Sequence, residues 1–258
     1  MKLGSALLLL APAAAALGQN ALTPAEKAAG WVLLFDGRTM SGWEANDSWV
    51  VDDGSLKALA HPLVRRDLFT RASWGDFELA FDWRISPQGN SGVKYRIQDR
   101  FYVEDHAQAP APKRFEDLTN YRMMHRLAGP PERGQQYVVG FEYQVIDNSV
   151  FPPGQKNLQR AGDLYDMAGG SGVEPNPVGE WNHSRIVLRG NHVEHWLNGV
   201  KVVDTSLDSA DVRAGIEKRW GKGTPVGDAL TNPNHEGRIS LQNHTNEAWF
   251  RNIRIRPL

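Results

Sequence analysis

The 258-residue sequence contains no cysteine and no excess of charge of either sign. Without cysteine the chain has no disulfide, no thiolate nucleophile, no thiolate metal site and no lipid-anchored cysteine. Its 29 lysine and arginine residues balance 30 aspartate and glutamate residues, so no overall field attracts nucleic acid or an anionic membrane. Any charged ligand must therefore be recognised by a local arrangement of side chains.

The chain opens with an apolar run. Lys2 precedes an alanine- and leucine-rich stretch that ends in small residues just before the polar Gln19. This stretch is too short to cross a membrane, so it predicts a secretory signal over residues 1–18, with a buried N-terminal helix as the alternative. We expect a secreted, periplasmic protein without a membrane span, whose residues 19–258 form a single domain.

The remaining sequence predicts short strands and little helix. Ser48–Leu59 contains an Asp-Gly turn and Ser184–Val203 contains Gly-Asn and Asn-Gly turns, which are hairpin signals, while Asp76–Ser86 alternates apolar and polar residues. Short helices are predicted at Thr23–Ala29, which has a capping-box pattern, and at Ser209–Trp220. About ten strands at short spacing favour an all-β antiparallel β-sandwich.

Residues 99–139 do not continue this pattern of short, closely spaced strands. They are rich in proline, arginine and histidine and show no clear period. They predict a long loop insertion that covers a binding face, with simple disorder as the alternative.

The run Phe141–Asp147, FEYQVID, has two different faces. Strict alternation places one set of residues on an apolar face and the other on a face with a carboxylate and an amide. The first set is Phe141, Tyr143 and Val145, and the second is Glu142, Gln144 and Ile146. The polar face is either a ligand-binding surface or an ordinary solvated one.

Several blocks of the sequence occur together in one known family. These blocks are LFDG with SGW, W-x-V-x-DGSL, WGDFELAFDWRISPQGNSGVKYR, FEYQVID, AGDLYDM, GEWNHSRIVLRGNHVEHWLNGVKVV and the final LQNH with WFRNIRIRPL. In this order, over roughly Gly30–Leu258, they resemble the 3-keto-disaccharide hydrolase family. The resemblance implies a concanavalin A-like lectin/glucanase jelly roll whose concave sheet binds sugar, and an enzyme that cleaves 3-keto-glycosides or 3-keto-disaccharides.

The chemistry implied by that family has clear requirements. A ketone at C3 acidifies the C2 proton and places the C1 oxygen β to the carbonyl. Elimination then needs a base near C2, a donor or metal ion near the C3 oxygen and an acid for the leaving group. Direct hydrolysis needs a carboxylate pair across the C1–O bond. Laminarinase-type glucanases carry E-x-D-x-E on one strand, whereas this strand keeps only Glu142, so elimination is favoured unless another strand supplies a second carboxylate.

Candidate catalytic residues follow from the polar faces of the strands. We expect Glu142 to be the base or a metal ligand, Lys94 to stabilise an enolate, and His244 to be an acid/base group or metal ligand. A surface cation and a hydrogen-bonded loop histidine are the alternatives for Lys94 and His244. The expected substrate-binding residues are Asn90, Arg96, Gln144, Tyr165, Glu194, Trp196 and Gln242.

Four of these assignments leave alternatives open. Asn90, in the turn before the Lys94 strand, either fixes the loop or contacts a ligand hydroxyl. Along the strand at 192–197, either His195 or the pair Glu194 and Trp196 faces the ligand, and we favour the pair. Tyr165 lies either at the rim of the cleft or in packing.

A divalent metal ion would require folding to bring Glu142, Gln144, Glu194 and His244 together. Nothing in the sequence indicates a nucleotide cofactor, because GNSG lacks the length and lysine of a phosphate loop. A non-catalytic, lectin-like sugar-binding module is the alternative to an enzyme.

Overall fold

Two β-sheets packed face to face form the core of the protein. The computed structural model describes residues 19–105, 123, 125–155 and 157–258. The predicted signal sequence and residues 106–122 and 124 of the predicted insertion lie outside these ranges. The helices of the described part are α1 (Pro24–Ala28), α2 (Ala210–Trp220) and α3 (Pro225–Thr231), with a 3-10 turn at Asn148–Val150. None of these helices is long and apolar enough to span a membrane.

The strands are β1 (Val32–Leu33), β2 (Trp49–Asp52), β3 (Ser55–Ala58), β4 (Val64–Arg65), β5 (Leu68–Trp74), β6 (Phe77–Ile85), β7 (Asn90–Glu104), β8 (Gly134–Ile146), β9 (Asn182–Arg189), β10 (His192–Leu197), β11 (Val200–Ser206), β12 (Gly237–Leu241) and β13 (Ala248–Pro257). The first sheet has the order β11-β10-β9-β6-β13-β3-β2, with β1 also paired to β13, and the second has the order β4-β8-β7-β12-β5. Only the short β4–β8 pair is parallel among the described strands. The predicted all-β antiparallel sandwich is confirmed.

Apolar side chains from the inner faces of both sheets fill the core. On β6 the alternating Phe77, Leu79, Phe81 and Trp83 are each at most 1% exposed. The β8 residue Tyr143 meets Phe81 edge to face, with ring centroids 5.5 Å apart. Burying each such side chain contributes roughly 1.5–3 kcal/mol. This packing fixes the opposite, polar face of β8 as an outer surface of the second sheet.

The predicted turns and helices are confirmed where the structure describes them. Asp53 at the β2–β3 turn and Asn198 at the β10–β11 turn have φ angles of 44° and 48°, the left-handed region that a type I′ hairpin requires. Thr23 accepts a hydrogen bond from the Glu26 backbone at 2.9 Å and forms the predicted capping box. Ser209 caps α2.

The predicted insertion at residues 99–139 is wrong at both of its ends. β7 continues to Glu104 and β8 begins at Gly134, and their pairing runs from Asp99 opposite Val139 to Glu104 opposite Gly134. The register shifts between Tyr95 and Asp99. A shift of this kind breaks the period of two, which is why the sequence pattern failed to show one long hairpin.

Candidate functional site

A row of polar side chains crosses the outer face of the five-stranded sheet. Glu142 on β8 lies directly opposite Lys94 on β7, and Lys94 lies directly opposite Ser240 on β12. Directly opposed residues project from the same face with their Cβ atoms about 5 Å apart. The strand register therefore holds a carboxylate, an ammonium group and a hydroxyl side by side.

The buried residue Asp67 completes this row. It immediately precedes β5 and is 3% exposed. Its Oδ2 lies 3.4 Å from Lys94 Nζ and accepts a hydrogen bond from Ser240 Oγ at 3.0 Å. Lys94 Nζ lies 4.0 Å from Glu142 Oε2. Burial disfavours the charge on Lys94, but Asp67 and Glu142 outweigh it and raise the Lys94 pKa, so Lys94 is an ammonium ion.

Glu142 has the pKa of a group that changes its charge near neutrality. Burial raises the pKa of Glu142 to about 7, with Lys94 acting against this shift and Asp67 adding to it. With its amide oriented to suit its neighbours, Gln144 donates to Glu142 Oε1 and to the Ser91 carbonyl, each at 3.1 Å. A carboxyl group with a pKa near the working pH is suited to proton transfer.

A glycine makes space for the Glu142 side chain. Gly92 on β7 lies opposite Gln144, and a Cβ added at Gly92 would lie 2.2 Å from Glu142 Oε1. Any larger residue at this position would displace the carboxylate.

The AGDLYDM segment, residues 161–167, continues the sheet beyond β8. The Tyr165 amide donates to the Glu142 carbonyl at 3.1 Å, and the Gln144 amide donates to the Asp163 carbonyl at 3.0 Å. Arg219 from α2 donates to the Tyr165 hydroxyl at 2.9 Å and forms an ion pair with Asp166. These contacts fix Tyr165 next to Glu142, above the polar row.

These groups line a cavity of about 330 Å³. Its volume lies at the small end of the range for ligand sites, which is about 300–1,000 Å³. The predicted site residues that it brings together are Asn90, Lys94, Glu142, Gln144, Tyr165, Gln242 and His244. Among the described residues, none forms a hydrogen bond with the buried side-chain carbonyl oxygens of Gln242 and Gln136. Both of these oxygens can accept a hydrogen bond from a ligand hydroxyl.

Arg96 does not share the face of Lys94, contrary to the prediction. Its φ is 47°, and it lies where the β7–β8 register shifts. The guanidinium is 2% exposed and donates to the Asn191 side chain at 3.1 Å and to the Gly190 carbonyl. The irregular backbone after Tyr95 turns this side chain toward the turn between β9 and β10, away from the cavity.

The predicted pair Glu194 and Trp196 also lies away from the cavity. Glu194 accepts hydrogen bonds from Lys201 at 2.8 Å and from the Trp196 indole at 2.9 Å, on the outer face of the other sheet. Arg185 covers the Trp196 ring with its guanidinium carbon 4.3 Å from the centroid. The alternation in β10 was predicted correctly, but β10 belongs to the sheet that does not carry the site.

His195 points inward but is a core residue. Its Nε2 lies 3.0 Å from the Tyr95 hydroxyl and its Nδ1 lies 2.9 Å from the Gly162 carbonyl. Burial lowers the pKa of His195 to about 4, against the opposing effect of the Gly162 carbonyl. Neutral His195 therefore ties the AGDLYDM segment to the core.

Two residues of the site were missed by sequence reasoning. Asp67 stands in the run RRDLF, directly before β5, a strand that was not predicted. A charged residue at the start of an apolar run was the available signal. Arg219 lies in the predicted helix, but nothing in the sequence indicates that this helix packs over β8.

The metal-ligand set considered from the sequence is not brought together, because Glu194 lies outside the cavity. In the described ranges, the converging group of acidic and histidine side chains is His192, Glu194 and Asp204. The Lys201 ammonium already donates to both of these carboxylates, at 2.8 and 2.7 Å.

Comparison with known proteins identifies the family. Residues 30–256 match the model of the 3-keto-alpha-glucoside-1,2-lyase-like domain. A 3-keto-disaccharide hydrolase of Bacteroides thetaiotaomicron is 28% identical over 250 residues, which cover 89% of this chain and 79% of the relative.

Two crystal structures from Parabacteroides distasonis, both of proposed glycosyl hydrolases, share the fold. The first has 28% identity and a TM-score of 0.65, covering 93% of this chain and 100% of that one. The second has 23% identity and a TM-score of 0.59, covering 88% of this chain and 99% of that one. On the match over residues 30–256, the chain belongs to the family of 3-keto-alpha-glucoside-1,2-lyase-like domains.

Proposed function

We propose that this protein is an exported enzyme that cleaves the glycosidic bond of 3-keto-glycosides or 3-keto-disaccharides by elimination and hydration. The observation that carries the proposal is the pair of Glu142, with a pKa of about 7, and Lys94, 4.0 Å away in a sugar-sized cavity. The name of the Bacteroides relative, 3-keto-disaccharide hydrolase, supports the substrate class. The family description, a 1,2-lyase, supports elimination across C1 and C2.

In the first step, Glu142 removes the C2 proton. The electrons of the C2–H bond form a C2–C3 double bond, and the ketone oxygen becomes an enolate. The Lys94 ammonium stabilises this developing negative charge, because Asp67 holds it in place and both side chains are buried. Asp67 is therefore a positioning residue for Lys94.

In the second step, the enolate re-forms the ketone and a C1–C2 double bond forms as the C1–O bond breaks. His244, which lines the same cavity, donates a proton to the departing oxygen. Water then adds to C1 and His244 takes up its proton. The carboxyl proton of Glu142 exchanges with solvent, and Glu142 then delivers a solvent-derived proton to C2. The net reaction consumes one water and releases the 3-keto-sugar and the second product.

Direct hydrolysis would need a second free carboxylate in the cavity. Among the described residues that line the cavity, Asp67 is the other carboxylate, but it is 3% exposed and is held by Lys94 and Ser240. An acid held in this way is poorly placed to attack C1 or to protonate the leaving group. The arrangement therefore favours a single catalytic base over a carboxylate pair.

Incubation with a 3-keto-glucoside in deuterated water tests the proposal. We expect release of the second product and deuterium at C2 of the recovered 3-keto-sugar. The same reaction with a chelator tests whether a divalent ion is required. Saturable sugar binding with no product would instead support the lectin-like module.

Export is a separate part of the proposal, and it depends on residues 1–18. Expression of the full chain and of a chain that starts at residue 19, followed by cell fractionation, tests it. We expect only the full chain to reach the periplasm.

A further inference from the structure

A second cavity lies next to the first and shares two residues with it. Its volume is about 690 Å³, and Asp67 and Gln136 line both cavities. A substrate with its 3-keto-sugar against Glu142 and Lys94 would place the unit on the other side of the C1–O bond in this second space. The larger volume suits a leaving group of at least the size of a sugar ring.

Three arginines dominate the polar lining of this second cavity. Each guanidinium is stacked on an aromatic ring that also lines it. The pairs, with the distance from guanidinium carbon to ring centroid, are Arg66 on Tyr102 (5.9 Å), Arg100 on Phe69 (4.6 Å) and Arg126 on Phe101 (4.9 Å). A stacked guanidinium keeps its N–H edge for hydrogen bonding.

The carboxylates that line the second cavity are already engaged. The two oxygens of Glu44 accept hydrogen bonds from Arg100, at 2.7 Å, and from Arg238. Asp67 is held by Lys94 and Ser240. Gln136 also lines this cavity, and its side-chain oxygen can accept a hydrogen bond. The N–H groups of the three arginines still outnumber such acceptors, which suits an anionic ligand better than a neutral polyol.

Of the ion pairs that these three arginines form, that of Arg66 is the longest, since Arg100 lies 2.7 Å from Glu44 and Arg126 lies 3.1 Å from Asp99. The ion pair of Arg66 with Asp47 is 3.4 Å long, and the Asp47 side chain is 77% exposed. Exposed pairs of this kind are weak. Within the described part of the chain, the buried Arg66 Nε has no hydrogen-bond partner.

We infer that the second cavity binds a leaving group that carries a carboxylate, either an acidic sugar or an aromatic acid. Arg66, with Arg100 and Arg126 around it, supplies the charge-assisted hydrogen bonds that a carboxylate accepts. The inference rests on the proposed function, because it names the part of the substrate beyond the scissile bond.

Matched substrates test the inference directly. The 3-keto-glucosides of 4-hydroxyphenylacetate and of 4-methylphenol differ by a carboxylate, while their phenols have similar acidity. We expect kcat/KM to be about tenfold higher for the acid, since charge-assisted hydrogen bonds are stronger than neutral ones. A 3-keto-glucosyl-glucuronate compared with the 3-keto-glucosyl-glucose shows whether an acidic sugar is accepted as well as an aromatic acid.

The Arg66→Gln variant shows whether this cavity is responsible. We expect it to lower kcat/KM for the acid substrates more than for the neutral ones, so that the preference disappears. Arg213→Gln removes an arginine that does not line either cavity, and it should keep the preference.

The failure of this inference can be told apart from the failure of the proposed function. Equal rates on acidic and neutral substrates would overturn the inference and leave the function standing. If no substrate is cleaved, calorimetry with 4-hydroxyphenylacetate alone decides the point. Binding that is lost in Arg66→Gln supports the carboxylate site, and no binding overturns it.

Discussion

Glu142 and Lys94 face each other directly across β8 and β7, with Oε2 and Nζ 4.0 Å apart. Both side chains are about nine-tenths buried, and neither depends on a loop for its position. A rigid sheet thus holds a carboxyl group and a cation side by side, as the proposed enolate formation requires. The burial that raises the Glu142 pKa also strengthens the field of Lys94.

Replacing Glu142 by glutamine should abolish most of the activity without unfolding the protein. The amide keeps the shape of the side chain but cannot accept the C2 proton. We expect kcat to fall by at least about 10²–10⁴-fold, with an unchanged circular dichroism spectrum. Glu194→Gln, on the outer face of the other sheet, is the matched control and should retain activity. Wild-type rates in Glu142→Gln would show that another group is the base.

The activity should rise with pH around the Glu142 pKa. Burial raises this pKa to about 7, and only the ionised carboxylate can remove a proton. We therefore expect kcat/KM on a 3-keto-glucoside to be low at pH 5 and to increase through a midpoint near pH 7. A profile that is flat between these values, or that falls as the pH rises, would exclude Glu142 as the base.

Removing Lys94 should lower the stability of the protein as well as the rate of the reaction. In Lys94→Met the buried Asp67 carboxylate loses the ammonium 3.4 Å away, which costs roughly 3–5 kcal/mol of unfolding free energy. The double variant with Asp67→Asn should recover part of this loss, because the Asp67 charge is then no longer buried without a partner. Urea unfolding measures the free energy of unfolding of the single variant and of the double variant. Equal destabilisation in the single and double variants would mean that the Asp67–Lys94 pair is not coupled.

The space at Gly92 should matter for catalysis. A Cβ at this position would lie 2.2 Å from Glu142 Oε1, so Gly92→Ala should displace the carboxylate and lower kcat by about 10²-fold, as misplacing a catalytic group does. Gly129→Ala is the control, since a Cβ there would lie more than 4 Å from every residue that the structure describes other than its two chain neighbours. If both variants have the same kcat as the wild type, the position of the Glu142 carboxylate is not critical.

The sequence predicted the sheet face of the site better than its surroundings. The alternation in FEYQVID correctly placed Tyr143 in the core and Glu142 on the opposite face, because burial of one strand face dictates this pattern. Lys94 was placed on the same outer face by the same reasoning. The prediction that Arg96 shares the face of Lys94 was wrong because the register shifts after Tyr95. Strict alternation of the two strand faces cannot reveal such a shift.

Contacts between distant segments were beyond such reasoning. The positions of Asp67 and Arg219 depend on how β5 and α2 pack beside β7 and β8, and these contacts join parts of the chain far apart in sequence. The pair Glu194 and Trp196 had the right alternation but belongs to the other sheet. Sheet membership follows from the topology of the whole sandwich, not from the pattern of one strand.

The most direct test of the account is exchange of the C2 proton. A 3-keto-glucoside is incubated in deuterated water with the wild type and with Glu142→Gln, and NMR follows the C2 position and the release of the second product. The account predicts deuterium at C2 in the wild-type reaction, with neither exchange nor cleavage in the variant. Cleavage by the wild type that leaves the C2 hydrogen in place would contradict it and would indicate direct displacement at C1.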